Sequence, residues 1–187
     1  MKKVILLGDS IRQIGYGPRT AQLLAGECKI WQPDDNCRFA QYTLRGVCAE
    51  WDGELAGADV IHWNNGLWDI CDYDLEDGGV FTSLEDYLRT MTRIAKVLKK
   101  TAKTVIFATT TPVTEKNTLM HNGDIVRYNE AVVPVLRELG VQVNDLHSLV
   151  QPYVERYIRT DDDTHLTEEG IEACAAQVAR VIRQALQ

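Results

Sequence analysis

The chain has 187 residues, 45% hydrophobic and 25% charged, which fits one globular domain (1–187) with room for a substantial core. A formal net charge of −7, with no run of Lys or Arg longer than two, argues against the basic surface that nucleic acid or an anionic membrane would require. No stretch approaches the roughly 18 apolar residues of a bilayer span. The apolar run after Lys2-Lys3 ends at Leu7, too short for a secretory signal, so a cytoplasmic protein is expected.

Strand-like and helix-like stretches alternate along the chain. Val4 to Leu7 is a short branched apolar run, a buried strand. Gly15 to Pro18 reads as a loop whose proline opens a helix running to about Gly26. Cys28 to Trp31 is a short strand, Asp34 to Asn36 a turn, and Leu44 to Trp51 a helix. Ala58 to Trp63 is a second apolar strand, closed by Asn64-Asn65-Gly66, and Asp69 to Gly79 is a loop rich in Asp and Gly. Ser83 is placed to cap a helix with Glu85 and Asp86 in its first turn and Leu84, Tyr87, Leu88, Met91, Ile94, Ala95 and Leu98 at helical spacing. Lys99, Lys100 and Lys103 close it at the end that favours cations. Thr104 to Thr109 is the next strand, ended by Thr109-Thr110-Thr111-Pro112. A helix follows from about Gly123 to Leu139, stopped by Gly140, then a strand from Val141 to Asn144. Thr167 is placed to cap a last helix reaching Ala185, with Ile171, Cys174, Val178, Val181 and Ile182 on one face. Five strands separated by helices imply a three-layer α/β/α sandwich around a five-stranded parallel sheet.

The strand ends carry the polar chemistry. Gly8-Asp9-Ser10 holds a hydroxyl at the C-terminal edge of the sheet, where open α/β sheets place their ligands. A serine hydroxyl becomes a nucleophile only beside a base that a third group orients. His165, with Asp162 three residues before it, supplies both residue types. Acyl transfer also needs fixed N–H donors facing the oxyanion. Candidates are the Ser10 backbone, the side chain of Asn64 or Asn65, and glycine or alanine amides between Phe39 and Gly46.

Gly-Asp-Ser after a first strand, with Asp-x-x-His before a last helix, resembles the SGNH hydrolases, or GDSL esterases and lipases, along nearly the whole chain. Gly8 to Tyr16 and His62 to Asp69 resemble a subgroup associated with carbohydrate deacetylation. The resemblance implies a flavodoxin-like fold, Ser10 as nucleophile, His165 as base, Asp162 as its orienting carboxylate, and the Ser10 N–H in the oxyanion hole. Two blocks depart from the family pattern. Gly66-Leu67-Trp68-Asp69 has Trp68 where the family places its donor asparagine, leaving the Trp68 indole N–H or, preferred, the Asn64 amide for that role. The second block, Asn36 to Gln41, has no glycine, so Ala40 or Gln41 would supply its N–H.

Asp9, Arg12, Tyr16, Asn65 and Gly66 are the expected pocket residues; a loop ion pair for Arg12 and a packed ring for Tyr16 are the alternatives. Trp63 and Trp68 are suited to stack on a sugar or, for Trp63, to pack in the core. His62 lies inside an apolar strand and is expected to be a core residue; His121 and His147 fall in loops. Asp161-Asp162-Asp163 lacks the spaced ligands of a calcium loop, and the five scattered cysteines lack zinc spacing and are expected as mostly buried thiols. A cofactor-free serine esterase acting on a small acyl ester, acetyl foremost, of a carbohydrate or similar small molecule is therefore expected. The alternative is a non-catalytic carbohydrate- or small-molecule-binding module on the same fold. A nucleotide-binding protein is disfavoured because no Gly-rich phosphate loop follows the first strand.

Overall fold

The computed structural model describes residues 1–73 and 79–187. The loop expected from Asp69 to Gly79 therefore lies partly outside the described residues. Apolar runs form the strands β1 (Lys2–Leu7), β2 (Cys28–Trp31), β3 (Ala58–Trp63), β4 (Ala102–Ala108) and β5 (Gln142–Asn144). They pair in parallel in the order β2-β1-β3-β4-β5, with Val4 opposite Val60 and Leu7 opposite Trp63. This is the doubly wound order whose topological switch falls between β1 and β3. Ser10 and Asn64 follow those two strands.

The helices are α1 (Gly17–Leu23), α2 (Ala40–Arg45), α3 (Asp52–Leu55), α4 (Leu84–Thr101), α5 (Asn122–Glu138), α6 (Leu146–Val150), α7 (Val154–Tyr157) and α8 (Glu168–Leu186). α1, α6 and α7 pack against α8, and α4 packs against α2 and α5. The caps of the two longest helices are those the sequence indicates: Ser83 Oγ accepts from Asp86 N at 3.2 Å, and Thr167 Oγ1 accepts from Gly170 N at 3.1 Å. Val4 to Leu7 is fully buried, as are Ile61 and Trp63, so the sheet is the centre of the core. Trp63 therefore packs against Phe107 rather than facing a ligand.

Four expectations change. A wide helical turn, Ile11–Tyr16, starts immediately after Ser10 and runs into α1, where a loop was expected; only Gly15 departs from helical angles. The helix expected from Leu44 begins at Ala40 and breaks in a wide turn over Gly46–Glu50, because Gly46 lies under Trp51, whose ring atoms come within 2.5 Å of where a Cβ would stand. β4 begins at Ala102, so Lys103 pairs with Asp59 at 2.8 Å instead of ending α4. α6, α7 and the short turn Gln151–Tyr153 between them fill the stretch before α8, each too short for a periodic apolar pattern.

Candidate active site

The turn after β1 is built around Gly8. A Cβ there would lie 2.0 Å from Asn64 Oδ1 and 2.9 Å from Arg12 Cβ, so only glycine lets β1 and β3 end this close together. The Asp9 backbone carbonyl accepts from Arg12 and Gln13, and its carboxylate from Ile11 N at 3.0 Å. These bonds start the helical turn at Ser10. Burial pushes the Asp9 carboxyl above its usual range, opposed by the Asn64 amide, the Ile11 N–H and the Arg12 guanidinium. Asp9 is thus an internal brace of the turn.

Ser10 Oγ stands 2.8 Å from His165 Nε2, and His165 Nδ1 stands 3.0 Å from Asp162 Oδ2. The other Asp162 oxygen accepts from the backbone of His165 and Thr164 at 2.9 and 3.0 Å. Burial raises the Asp162 carboxyl, but these N–H donors and the imidazole outweigh it and hold it below its ordinary value. An ionised carboxylate only accepts, so the His165 proton belongs on Nδ1, and Nε2 presents its lone pair to the Ser10 hydroxyl.

The loop carrying Asp162 and His165 is itself held. Arg159 N donates to His165 O at 2.8 Å, and the Arg159 guanidinium pairs with Asp161. From the loop after β4, Thr114 N and the Thr114 hydroxyl donate to Asp163, and Asn117 Nδ2 donates to Asp163 O and Thr164 Oγ1. These bonds secure Asp163 at φ 57°, a left-handed turn unusual for a side chain. Thr114 and Asn117 lie 49 and 47 residues from their partners, and no local sequence pattern marks them.

The other expected site residues divide. Tyr16 OH donates to Asn64 Oδ1 at 2.9 Å, which fixes the flip of that amide and leaves Nδ2 as its donor side. Asn65 Nδ2 is taken by Arg38 O and Thr43 Oγ1, both at 2.9 Å, and ties the α2 lead-in to the end of β3. Gly66 packs against Thr110, whose Oγ1 would lie 2.0 Å from a Cβ. Arg12 does not line the cleft: it is 1% exposed and donates to the carbonyls of Pro33, Gly8 and Asp35 at 2.9, 3.0 and 2.8 Å. It is neither a pocket residue nor half of a loop ion pair. The Ala40 N–H, an oxyanion candidate, donates instead to both Asp69 oxygens at 3.0 and 3.1 Å. The next amide, Gln41, lies in the first turn of α2, where no intrahelical acceptor precedes it. The Trp68 ring is partly exposed.

Asp69 was not foreseen as a bracing group. Burial pushes its carboxyl up to about 7 against the pull of the Ala40 N–H and the Thr82 hydroxyl. A folded-state value above the ordinary 3.8 means that this group's stabilisation is complete below about pH 4 and is lost as pH rises through about 7. Asp69→Asn, neutral throughout, should escape that loss. Its thermal midpoint should gain on the wild type between pH 4 and 7 and then run parallel to it. Denaturation scans at half-unit pH steps check this, and identical pH dependence in both proteins would contradict it.

Among the rival histidines, His62 is fully buried, and its burial pulls it down to about 3. Its Nε2 accepts from Asn144 Nδ2 at 3.0 Å, the Asn144 carbonyl being occupied by Gln177. His147 N donates to Thr109 Oγ1 at 2.9 Å, and His121 precedes α5. Cys28, Cys37, Cys71 and Cys174 are buried, Cys48 is exposed, and all five are unpaired. Among the described residues no three His, Cys, Asp or Glu side chains converge as a metal site, and no helix is long and apolar enough to cross a membrane.

A cleft of about 370 Å³ opens beside Ser10 and His165, between Ile14 and Ile171, with Arg159 and Glu168 at its edge. The crevice among Asp9, Asn64, Leu67 and Thr109 to Thr111, by contrast, admits no water-sized group, its volume being about 0 Å³.

No family model matches the chain, and no curated protein matches it in sequence. Solved structures do match in fold. The acetyl xylan esterase AlAXEase superposes with a TM-score of 0.77 at 19% identity, covering 96% of this chain and 99% of its own. A lipase/acylhydrolase from Enterococcus faecalis superposes with a TM-score of 0.78 at 18% identity, over 98% of this chain and 96% of its own. Axe2, an acetylxylan esterase from Geobacillus stearothermophilus, gives 0.74 at 16% identity, over 96% and 93%. At these identities the likeness shows a shared α/β fold, the fold implied by the resemblance of the two end blocks to the SGNH hydrolases.

Proposed function

We propose that the protein is a serine esterase that removes a small acyl group, acetyl foremost, from a carbohydrate or similar small alcohol. The observation that carries this reading is the unbroken chain from Ser10 Oγ through the His165 ring to Asp162, with spacings of 2.8 and 3.0 Å. In this scheme Ser10 Oγ attacks the ester carbonyl while His165 Nε2 takes its proton. The tetrahedral intermediate collapses as His165 returns that proton to the departing alcohol oxygen, leaving the acyl group on Ser10. A water deprotonated by His165 then releases the acid and restores the serine. Structural neighbours described as acetyl xylan esterases and as a lipase/acylhydrolase agree with this reaction class.

Two of these neighbours are described as acetyl xylan esterases, which supports a small acyl group. kcat/KM on p-nitrophenyl esters should fall steeply from acetyl to octanoyl, and faster cleavage of octanoyl than acetyl esters would overturn the small-acyl reading.

The oxyanion donors proposed are the Ser10 N–H, the first-turn amide of Gln41 and the Asn64 side chain, whose orientation the Tyr16 hydroxyl holds. Asn64→Ala should lower kcat roughly 10²–10³-fold with little change in KM, and Trp68→Phe, which loses only the indole N–H, should cost much less. The reverse ranking would assign the role to Trp68, and small effects from both would leave it to backbone amides. Circular dichroism accompanies the kinetics because Asn64 also packs against Gly8.

A further inference from the structure

An ester has two halves, and the geometry around Ser10 assigns a side to each. The tetrahedral carbon on Ser10 Oγ carries an oxyanion, an acyl substituent and the alcohol oxygen. The alcohol oxygen leaves by taking the proton held on His165 Nε2, 2.8 Å from Ser10 Oγ, so it lies on the His165 side of the carbon. Two of the proposed oxyanion donors, Gln41 and Asn64, do not line the cleft beside His165; they sit where α2 and the end of β3 meet. The cleft of about 370 Å³ is lined by Ser10 and His165 together, and its volume falls within the roughly 300–1,000 Å³ of small-molecule sites.

We infer that the cleft between Ile14 and Ile171 is the alcohol subsite, built for a neutral, ring-sized alcohol with one apolar face. The inference rests on the esterase reading and goes beyond it. Ile11, Ile14, Leu166 and Ile171 give the cleft its apolar walls. At the edge, the Arg159 guanidinium is already paired with Asp161 at 2.9 Å, and Glu168 adds a carboxylate. Such an edge accepts hydroxyl hydrogens and repels an anionic alcohol.

Two filling variants test this, each compared with the wild type on methyl acetate and cyclohexylmethyl acetate, esters of alcohols with similar acidity. Ile171→Trp fills the cleft from α8, and Ile14→Trp fills it from the rim, where Ile14 is 59% exposed and a larger ring puts no strain on the core. In both variants kcat/KM for the cyclohexylmethyl ester, divided by that for the methyl ester, should fall about tenfold or more, within the roughly 10–200-fold that a methylene-scale pocket change is worth. Val126→Trp, on the surface of α5, should keep the wild-type ratio. Should Ile171→Trp fail to fold, Ile14→Trp carries the test alone. A ratio that moves no more than in Val126→Trp would overturn the alcohol assignment. So would tryptophan variants that instead change the preference between acetyl and butanoyl methyl esters, because the cleft would then hold the acyl half. A wild-type protein that cleaves neither ester would overturn the esterase reading itself, and turnover with an unchanged ratio would overturn this inference alone.

Discussion

Ser10→Ala should lower kcat for p-nitrophenyl acetate by roughly 10⁴–10⁶-fold, the loss found when a nucleophile that works as a unit with its base is removed. The fold should survive. The Ser10 hydroxyl meets His165 in a partly exposed site, and the turn that carries it is held by Asp9, Gly8 and Arg12 rather than by the hydroxyl. Far-UV circular dichroism and the thermal midpoint should therefore stay close to the wild type while turnover disappears. The small residual rate should be what fixed donors contribute without a nucleophile. Wild-type turnover in the purified variant would remove Ser10 from the mechanism.

His165→Ala should be nearly as damaging, by the same reasoning, and it has a second signature. The base must be unprotonated to take the Ser10 proton, so kcat/KM for a neutral ester should rise with pH through one ionisation and then level off. Deleting His165 should remove that step along with most of the rate. His62→Ala, His121→Ala and His147→Ala should leave the step in place, since His62 is buried against Asn144 and none of the three is hydrogen-bonded to Ser10. A step that persists in His165→Ala would assign the base elsewhere.

The parts of this architecture that were legible in the sequence are those written in local chemistry. Strands buried on both faces need continuous apolar runs, so Val4 to Leu7 and Ala58 to Trp63 announce themselves. Ser83 and Thr167 cap α4 and α8 because their hydroxyls reach the N–H three residues on. The encounter of Ser10 with His165, 155 residues apart, was legible only because both end blocks resemble a known pattern.

What stayed hidden depends on distant partners. Gly15, Gly17 and Pro18 read as a loop, yet buried Tyr16 reaching Asn64, and Arg12 reaching the carbonyls of Pro33 and Asp35, draw that segment into a helical turn. The same long-range bonds put Arg12 inside the protein instead of in the pocket. Asp69 looked like the start of a polar loop, and only the folded chain gives it Ala40, 29 residues away, as a partner. Thr114 and Asn117, which secure the His165 loop, carry no signal at all until the loop after β4 meets the loop before α8.

The central claim is that Ser10 is a nucleophile activated by His165, and labelling with a fluorophosphonate probe followed by peptide mapping tests it without any knowledge of the substrate. The wild type should take one label, on the peptide containing Ser10. Ser10→Ala should take none, and His165→Ala should label far more slowly. A folded wild-type protein that remains unlabelled, or a label that maps to another residue, would contradict the account.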